Sequence, residues 1–187
     1  MLLNKQPVLE NERFVLYPLQ DGDFDELYAA ASDPEIWEQH PNKDRWKKDV
    51  FRNFFEGAMQ SKGAFRIVDK STGKTIGSTR IYDEDDASDS TFVGYTFYAK
   101  QYWGKGINQA IKALMLDYLF QSVSVVRFHI GAGNLRSQIA ITRLGAIKVA
   151  EQEVSYFGEA SKLNYEYQIR KEDWLKRNDG QGPARQD

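Results

Sequence analysis

Cysteine is absent from this chain of 187 residues. Its absence excludes disulfides, thiolate metal ligands and a cysteine nucleophile for covalent catalysis. Histidine is almost as scarce, and the two histidines, His40 and His129, lie far apart in the sequence. A histidine-based metal site is therefore not expected, and we predict that the protein uses no metal.

Long apolar runs and a strong charge of either sign are lacking as well. No segment has the roughly 20 consecutive apolar residues that a membrane-spanning helix needs, and the first residues lack the apolar core of a signal peptide. The net charge is −2, so the composition does not favour a basic surface for nucleic acid. We predict a cytoplasmic protein with no membrane partner and no direct nucleic-acid partner.

The composition is that of a globular protein. Hydrophobic residues make up 41% of the chain and aromatic residues 13%. The length suits one domain with a sizeable core. We predict a single domain over residues 1–176, followed by a polar, disordered tail over residues 177–187.

Hydrophobic periodicity predicts alternating helices and strands, typical of the α+β class. In chain order the predicted elements are a strand (13–19), two helices (24–31 and 43–61), a hairpin (64–69 and 74–82), a strand (92–98), a helix from 107, a strand (125–130), a short helix (134–144) and two last strands (147–157 and 163–169). The acidic run at residues 83–86 indicates a solvated turn.

A glycine turn joins the strand that ends at Tyr98 to the helix that follows it. Gly104 and Gly106 flank Lys105, so the backbone there can adopt conformations that are closed to residues with a Cβ. The first amides of the helix have no intrahelical partners and lie at the positive end of its dipole. This pattern predicts a phosphate site. The third glycine of the dinucleotide fingerprint is missing, and so is the Gly-Lys-Ser/Thr of a nucleotide P-loop.

The stretch Gln101-Tyr-Trp-Gly104-Lys-Gly106 resembles the coenzyme A pyrophosphate loop of the GNAT N-acetyltransferase superfamily. A second stretch, Asn134-x-x-Ser137 followed by Leu144-Gly145-Ala146, resembles a segment of the branch that acetylates ribosomal proteins and other N-termini. The resemblance covers residues 13–174. It implies the GNAT fold, a mixed, mostly antiparallel seven-stranded sheet flanked by about four helices, with the fourth and fifth strands splayed apart. It also implies acetyl-CoA as co-substrate.

The resemblance assigns roles to particular residues. The pantetheine arm of the cofactor is expected along the backbone of Phe97 and Tyr98, and Asn134 is expected on its other side. The amide of Tyr98 is expected to polarise the thioester carbonyl, and the Ser137 hydroxyl to lie near the sulfur. The remaining cofactor contacts are expected from the glycine loop and the start of its helix, namely Gln101, Tyr102, Trp103, Gly104, Lys105, Gly106, Ile107 and Asn108.

Two positions depart from the common pattern of the superfamily. Ile141 stands where many members place a tyrosine that protonates the thiolate, and Phe92 stands where many place a glutamate that acts as general base. A carboxylate, a histidine or water can take the proton instead. The sequence offers Glu84, with Asp85 beside it, and His40 as candidate bases.

The resemblance therefore predicts transfer of an acetyl group to a primary amine, by direct attack in a ternary complex. The acceptor is a small molecule or a protein terminus, and the protein is a monomer or a homodimer. One alternative is a non-catalytic acyl-CoA-binding module on the same fold, because the base is unassigned. A second is a nucleotide-binding transferase that uses the same helix end, against which the missing glycine and the missing Lys-Ser/Thr argue.

Overall fold

The computed structural model describes residues 3–179 and contains an eight-stranded sheet. The strand order is β1-β2-β3-β4-β5-β6-β8-β7, and β5–β6 is the parallel pair in an otherwise antiparallel ladder. The strands are β1 (Leu9–Glu10), β2 (Phe14–Pro18), β3 (Ala64–Asp69), β4 (Lys74–Asp85), β5 (Ser90–Tyr98), β6 (Val125–Gly131), β7 (Ile147–Val154) and β8 (Lys162–Arg170). The α+β class and the GNAT-type sheet are confirmed. The count is eight strands rather than seven, because the two-residue β1 is too short to produce a period in the sequence.

Within the described residues, five α-helices accompany the sheet, one more than predicted. They are α1 (Phe24–Ala31), α2 (Lys48–Ser61), α3 (Ile107–Leu119), α4 (Leu135–Thr142) and α5 (Lys171–Asn178). The added helix, α5, buries Trp174, whose Nε1 donates a hydrogen bond of 2.7 Å to Asp117 on α3. Helix α5 includes Arg177 and Asn178, the first two residues of the predicted tail. Residues 180–187 lie outside the described residues.

Two hydrophobic cores lie on the two faces of the sheet. Helix α3 forms one of them with the stripe Ile107, Ile111, Met115 and Leu119, which packs on apolar residues of the sheet. Helices α1 and α2 form the other with Leu27, Phe51, Phe54 and Phe55, together with Trp37 and Phe97. These stripes are the helical periodicities of the sequence, and burying them against both faces gives a three-layer domain.

The parallel strands β5 and β6 pair over only three residues. Ser90, Thr91 and Phe92 lie opposite Val125, Val126 and Arg127, whereas β5 continues to Tyr98 and β6 to Gly131. The fourth and fifth strands of the predicted fold are these two, so the predicted splay is confirmed. The edge of β5 beyond Phe92 consequently faces a gap rather than a neighbouring strand.

A β-bulge shapes β5 beside the gap. Ser78 pairs with Phe97 and Arg80 with Gly94, so two residues of β5, Tyr95 and Thr96, stand opposite the single residue Thr79. Tyr95 has a φ of +52°, in the left-handed region that non-glycine residues seldom occupy. The bulge turns Tyr95 towards α2 and Thr96 towards α3.

Candidate active site

A cleft of about 500 Å³ passes through the gap between β5 and β6. Of the residues predicted to bind the cofactor or to take part in catalysis, eleven line it, namely His40, Phe97, Tyr98, Tyr102, Trp103, Gly104, Gly106, Ile107, Asn108, Asn134 and Ser137. Three others, Glu84, Gln101 and Lys105, are not among the lining residues. The structure thus brings the glycine loop and the start of α4 to one cavity, although they are far apart in sequence.

The glycine loop forms the entrance to the cleft at the start of α3. Gly104 and Gly106 have φ values of +70° and +71°, and open space lies where each would carry a Cβ. Helix α3 begins after Gly106, and no side chain caps it. Its first amides therefore face open space at the positive end of the dipole. A diphosphate fits this arrangement, because anions bind at such helix ends.

Trp103 fastens the loop to the end of β5. Its Nε1 donates a hydrogen bond of 3.0 Å to the carbonyl oxygen of Tyr98. The guanidinium of Arg136 on α4 lies 4.2 Å from the centroid of the Trp103 ring, a cation–π contact. The hydroxyl of Tyr98 donates to Asn108 Oδ1 on α3 at 3.2 Å. These contacts hold the loop, α3 and α4 in fixed relation around the cleft.

Asn134 and Ser137 occupy the first turn of α4. Asn134 is buried and caps the helix, since its Oδ1 accepts a hydrogen bond of 3.1 Å from the amide of Ser137. Within the described residues the Ser137 hydroxyl has no hydrogen-bond partner, and Ser137 lines the cleft. The serine is therefore free to bond to a ligand. Ile141, one turn further along α4, is a buried apolar residue of the same wall.

A buried lysine reaches the cleft from α3. Lys112 is 4% exposed, and its Nζ donates to the hydroxyls of Thr79 and Thr96 at 3.0 and 2.6 Å. Burial lowers the pKa of Lys112 to about 7, because the charged form loses its hydration. The sequence pattern did not single out this residue, since a lysine within an amphipathic helix normally faces solvent. The signal was its helical spacing to Met115 and Leu116, three and four residues further along the buried face of α3.

The wall on the α2 side of the sheet is aromatic. Tyr95 lies edge-on to Tyr82 and to Tyr156, with ring centroids 5.1 and 5.4 Å away. Burial raises the pKa of all three tyrosines, which keeps their hydroxyls protonated. Sequence analysis missed these tyrosines, because they come from β4, β5 and the loop between β7 and β8, and no local motif connects them.

Arginines accompany the tyrosines. Arg45 is buried and makes a bidentate pair with Glu159, with hydrogen bonds of 2.9 and 2.8 Å. Arg80 is also buried, lies 3.8 Å over the ring of Tyr95, and its Nε has no hydrogen-bond partner within residues 3–179. The charge of Arg45 is thus balanced by Glu159, and Arg80 lies against the Tyr95 ring, outside the cleft lining. Among the lining residues that the structure describes, none is Asp or Glu.

The two predicted candidate bases differ in position. His40 lines the cleft, and burial, with smaller contributions from Arg45 and Arg136, lowers its pKa to about 3. A histidine with this pKa stays neutral near pH 7 but is a weak proton acceptor. Glu84 lies near the end of β4, away from the lining residues. The acidic run is only partly a turn: its first three residues continue β4, and the turn begins at Asp86.

Within residues 3–179, no group of three or more His, Cys, Asp and Glu side chains is placed to hold a metal ion. Within the same range, every helix is too short or too polar to cross a membrane.

Solved structures share the fold at low sequence identity. A GCN5-related N-acetyltransferase from Brucella melitensis superposes with a TM-score of 0.79 at 17% identity, covering 94% of this chain and 84% of its own. A GNAT-family acetyltransferase from Bacillus anthracis superposes with a TM-score of 0.70 at 16% identity, covering 89% of this chain and 99% of its own. A spermidine N-acetyltransferase from Vibrio cholerae, in complex with CoA and spermine, superposes with a TM-score of 0.67 at 16% identity, covering 88% of this chain and 99% of its own.

Family membership rests on the sequence itself. Residues 13–147, well over half of the chain, match the acetyltransferase (GNAT) domain. The match includes the glycine loop, the gap between β5 and β6 and the first turn of α4, which form most of the cleft. The chain belongs to the GNAT acetyltransferase family and is an N-acetyltransferase that uses acetyl-CoA as co-substrate.

Proposed function

We propose that the protein acetylates a primary amine by direct attack on acetyl-CoA within a ternary complex. One observation carries the proposal: a single cleft runs from the glycine loop, through the gap beside β5, to the tyrosine wall on the α2 side. Two substrates that enter from opposite faces of the sheet meet in this gap. Such an arrangement supplies the proximity that direct transfer needs.

Within this proposal the cofactor lies along the loop and the strand. The diphosphate binds the amides from Tyr102 to Ile107, with Lys105 adding charge at the surface. The pantetheine pairs with the open edge of β5 near Phe97 and Tyr98, opposite Asn134. An amide at the end of β5 stabilises the developing oxyanion, and Ser137 is placed to assist the leaving thiolate.

The acceptor enters from the side of the tyrosine wall. The described lining there contains no carboxylate that could pair with a polycation such as the spermine bound by the Vibrio cholerae enzyme. We therefore favour an acceptor that carries one amine and a neutral or anionic remainder. A small amino compound and a protein N-terminus both satisfy this description. The N-terminal acetyltransferase branch, the cytoplasmic location and the choice between monomer and homodimer stay predictions.

Two measurements test the proposal. First, the melting temperature is recorded with acetyl-CoA, CoA, NAD and ATP. A ligand at about 100 times its Kd adds roughly 2.7 kcal/mol to the free energy of unfolding, and we expect this from the two CoA species alone. Second, CoA release is followed with three acceptors: L-phenylalanine, spermine and a tetrapeptide with a free α-amine. We expect faster release with the amino acid or the peptide than with spermine.

The alternatives predict other outcomes. A non-catalytic acyl-CoA-binding module binds acetyl-CoA but releases no CoA in response to amines. A nucleotide-binding transferase is stabilised by ATP or NAD instead of CoA. If CoA release were fastest with spermine, acetylation of an amine would still hold, but the proposed acceptor with a single amine would be wrong.

A further inference from the structure

Acetyl transfer breaks the bond between the acetyl carbon and sulfur, and a proton donor beside the sulfur assists that step. In the proposed complex the cofactor lies on the α3 side of the sheet, so the donor is expected there. Lys112, the one lysine among the described lining residues, becomes a stronger acid because burial lowers its pKa. Burial raises the pKa of four lining tyrosines and makes them weaker acids, namely Tyr82, Tyr95, Tyr98 and Tyr156.

Two threonines hold the Lys112 amine on the α3 side of the sheet. Its Nζ donates to Thr79 Oγ1 on β4 at 3.0 Å and to Thr96 Oγ1 on β5 at 2.6 Å. The two hydroxyl oxygens are themselves 2.9 Å apart. Thr96 belongs to the bulge and directly precedes Phe97 and Tyr98, along which the pantetheine is proposed to lie. The amine is therefore fixed beside the part of β5 that the thioester would reach.

One N–H of the Lys112 ammonium is left over. An ammonium group has three N–H donors, and the threonines accept from two of them, so the third has no partner within residues 3–179. Lys112 is only 4% exposed, and no charged group of the described residues contributes to its pKa shift. A buried cation without a counter-charge or a full set of acceptors costs stability. A negatively charged ligand atom in the cleft would supply both.

We propose that Lys112 is the catalytic residue that gives a proton to the thiolate of CoA. The inference rests on the proposed amine transfer and names an acid for it. As the bond from carbon to sulfur breaks, its electron pair stays on sulfur, and the unpartnered N–H proton of Lys112 moves to the sulfur. Lys112 is left as a neutral amine that regains a proton from solvent, and the proton lost by the attacking amine goes to solvent. Ser137, on the α4 wall, donates a hydrogen bond to the same sulfur.

The groups around Lys112 suit this role. Burial lowers its pKa to about 7, and an alkyl thiolate is the stronger base, since a free thiol has a pKa of about 8.5. On the same face of β5, Tyr98 stays protonated because burial raises its pKa. The charged lining residues of α4 are Arg136, which lies against the Trp103 ring, and Arg143. The proton therefore passes readily from Lys112 to sulfur.

The first test compares the wild type with Lys112→Met in the CoA-release assay, using the fastest of L-phenylalanine, spermine and the tetrapeptide. We expect kcat to fall about 10²-fold, with little change in the KM for the amine. The wild-type kcat should fall on the alkaline side as Lys112 loses its proton, and this limb should be absent in Lys112→Met. Lys176→Met removes an exposed lysine of α5 and should keep the wild-type kcat and limb.

A second variant acts on Lys112 through its partner. Thr96→Val removes the hydroxyl that accepts from Nζ at 2.6 Å and keeps a branched side chain of similar size. The ammonium form loses an acceptor, so the pKa of Lys112 falls and the alkaline limb of kcat should move to lower pH. This shift tests the proposal even if Lys112→Met does not fold.

A third measurement needs no turnover. Desulfo-CoA carries hydrogen in place of the thiol group of CoA, so the two ligands differ at the atom that Lys112 is proposed to contact. We expect the wild type to bind CoA about 10-fold more tightly than desulfo-CoA in isothermal titration calorimetry, because a hydrogen bond to a charged group is lost. Lys112→Met should lose most of this preference, whereas Lys176→Met should retain it.

Contrary results are distinguishable. If Lys112→Met keeps the wild-type kcat and alkaline limb, or if the limb stays in place in Thr96→Val, Lys112 is not the acid and amine transfer itself stands. An equal preference for CoA over desulfo-CoA in the wild type and Lys112→Met would show that the amine does not reach the sulfur. If the wild type binds acetyl-CoA but releases no CoA with any of the three acceptors, the proposed function fails and the role of Lys112 fails with it.

Discussion

Gly104 affects the cleft through the side chain it lacks. Its φ of +70° and the open space around it leave room above the first amides of α3. In Gly104→Val a branched side chain occupies the space through which a diphosphate would approach those amides. We expect the affinity for acetyl-CoA to fall about 100-fold or more, which corresponds to about 2.7 kcal/mol, as measured by isothermal titration calorimetry.

Gly73 offers a matched control for that substitution. It has a φ of +66° and open space around it, but it lies in the turn between β3 and β4, outside the cleft lining. Gly73→Val introduces a similar backbone strain but places no side chain in the glycine loop at the start of α3. Both variants should lose melting temperature, whereas only Gly104→Val should lose affinity. Equal affinities in the two variants would show that the glycine loop does not hold the cofactor.

Ser137 tests the wall opposite the loop. Its hydroxyl lacks a hydrogen-bond partner within the described residues, so Ser137→Ala removes a potential ligand contact and leaves the cap by Asn134 intact. We expect kcat to fall by on the order of 10², with little change in the KM for the amine, in steady-state CoA release. Ser122→Ala, which removes a half-buried serine outside the cleft, is the control. A wild-type kcat in Ser137→Ala would assign Ser137 a purely structural position.

At the scale of elements, the sequence predicted the helices, strands and turns that local residue patterns determine. The apolar stripe of α3, the aromatic strand β5 and the glycine turn between them lie where the residues indicate. Helix α2 begins at Lys48 rather than Lys43, although the intervening residues suit a helix. Arg45 in that segment turns inwards to its pair with Glu159, a tertiary contact that no local pattern contains.

In the candidate site too, the sequence predicted the residues that belong to local motifs and missed those that only the fold brings together. The glycine loop, Asn134 and Ser137 form short motifs, and the structure brings them to one cleft. Tyr82, Tyr156 and His129 come together only through the bulge in β5 and the register of β6 with β8. A one-residue change of register would place His129 on the other face of the sheet. This grouping of side chains was therefore beyond the reach of sequence patterns.

Lys112 links α3 to β4 and β5, and its charge opposes folding. The folded pKa of about 7 lies below the ordinary lysine pKa of 10.5, so the unfolded chain binds more protons between these pH values. The penalty is complete below about pH 7 and disappears as the pH rises towards 10.5. We expect Lys112→Met to raise the free energy of unfolding by about 2–4 kcal/mol near neutral pH, and by less at about pH 9.5, in urea unfolding.

Lys176→Met is the control for that experiment, since it removes an exposed lysine from α5. Its effect on the free energy of unfolding should be within about 0.5 kcal/mol at both pH values. A Lys112→Met variant that is less stable than the wild type near pH 7 would mean that the hydrogen bonds to Thr79 and Thr96 outweigh the cost of burying the charge.

At the scale of the whole molecule, one sheet supports two separate cores. Helix α3 covers one face and helices α1 and α2 cover the other, so the cofactor and the acceptor are proposed to approach from different layers. The loop between β7 and β8 closes the acceptor end, tied to the segment before α2 by Arg45 and Glu159. The walls of the proposed acceptor end thus come from segments distant in sequence.

Only a short stretch of pairing, three residue pairs between β5 and β6, joins the two halves of the described sheet. Strands β1 to β5 form one half and β6 to β8 the other. Within residues 3–179, strand pairing connects the halves at Ser90–Phe92, beside which the carbonyl of Asp89 accepts hydrogen bonds from the amides of Ser124 and Val125. We expect this short seam to act as a hinge, so that the width of the gap varies with the angle between the halves. A ligand held in the gap fixes that angle, and by linkage whatever restrains the angle strengthens binding of the ligand. Substitutions along the seam, far from any reacting atom, should therefore alter affinity by changing how freely the halves rock.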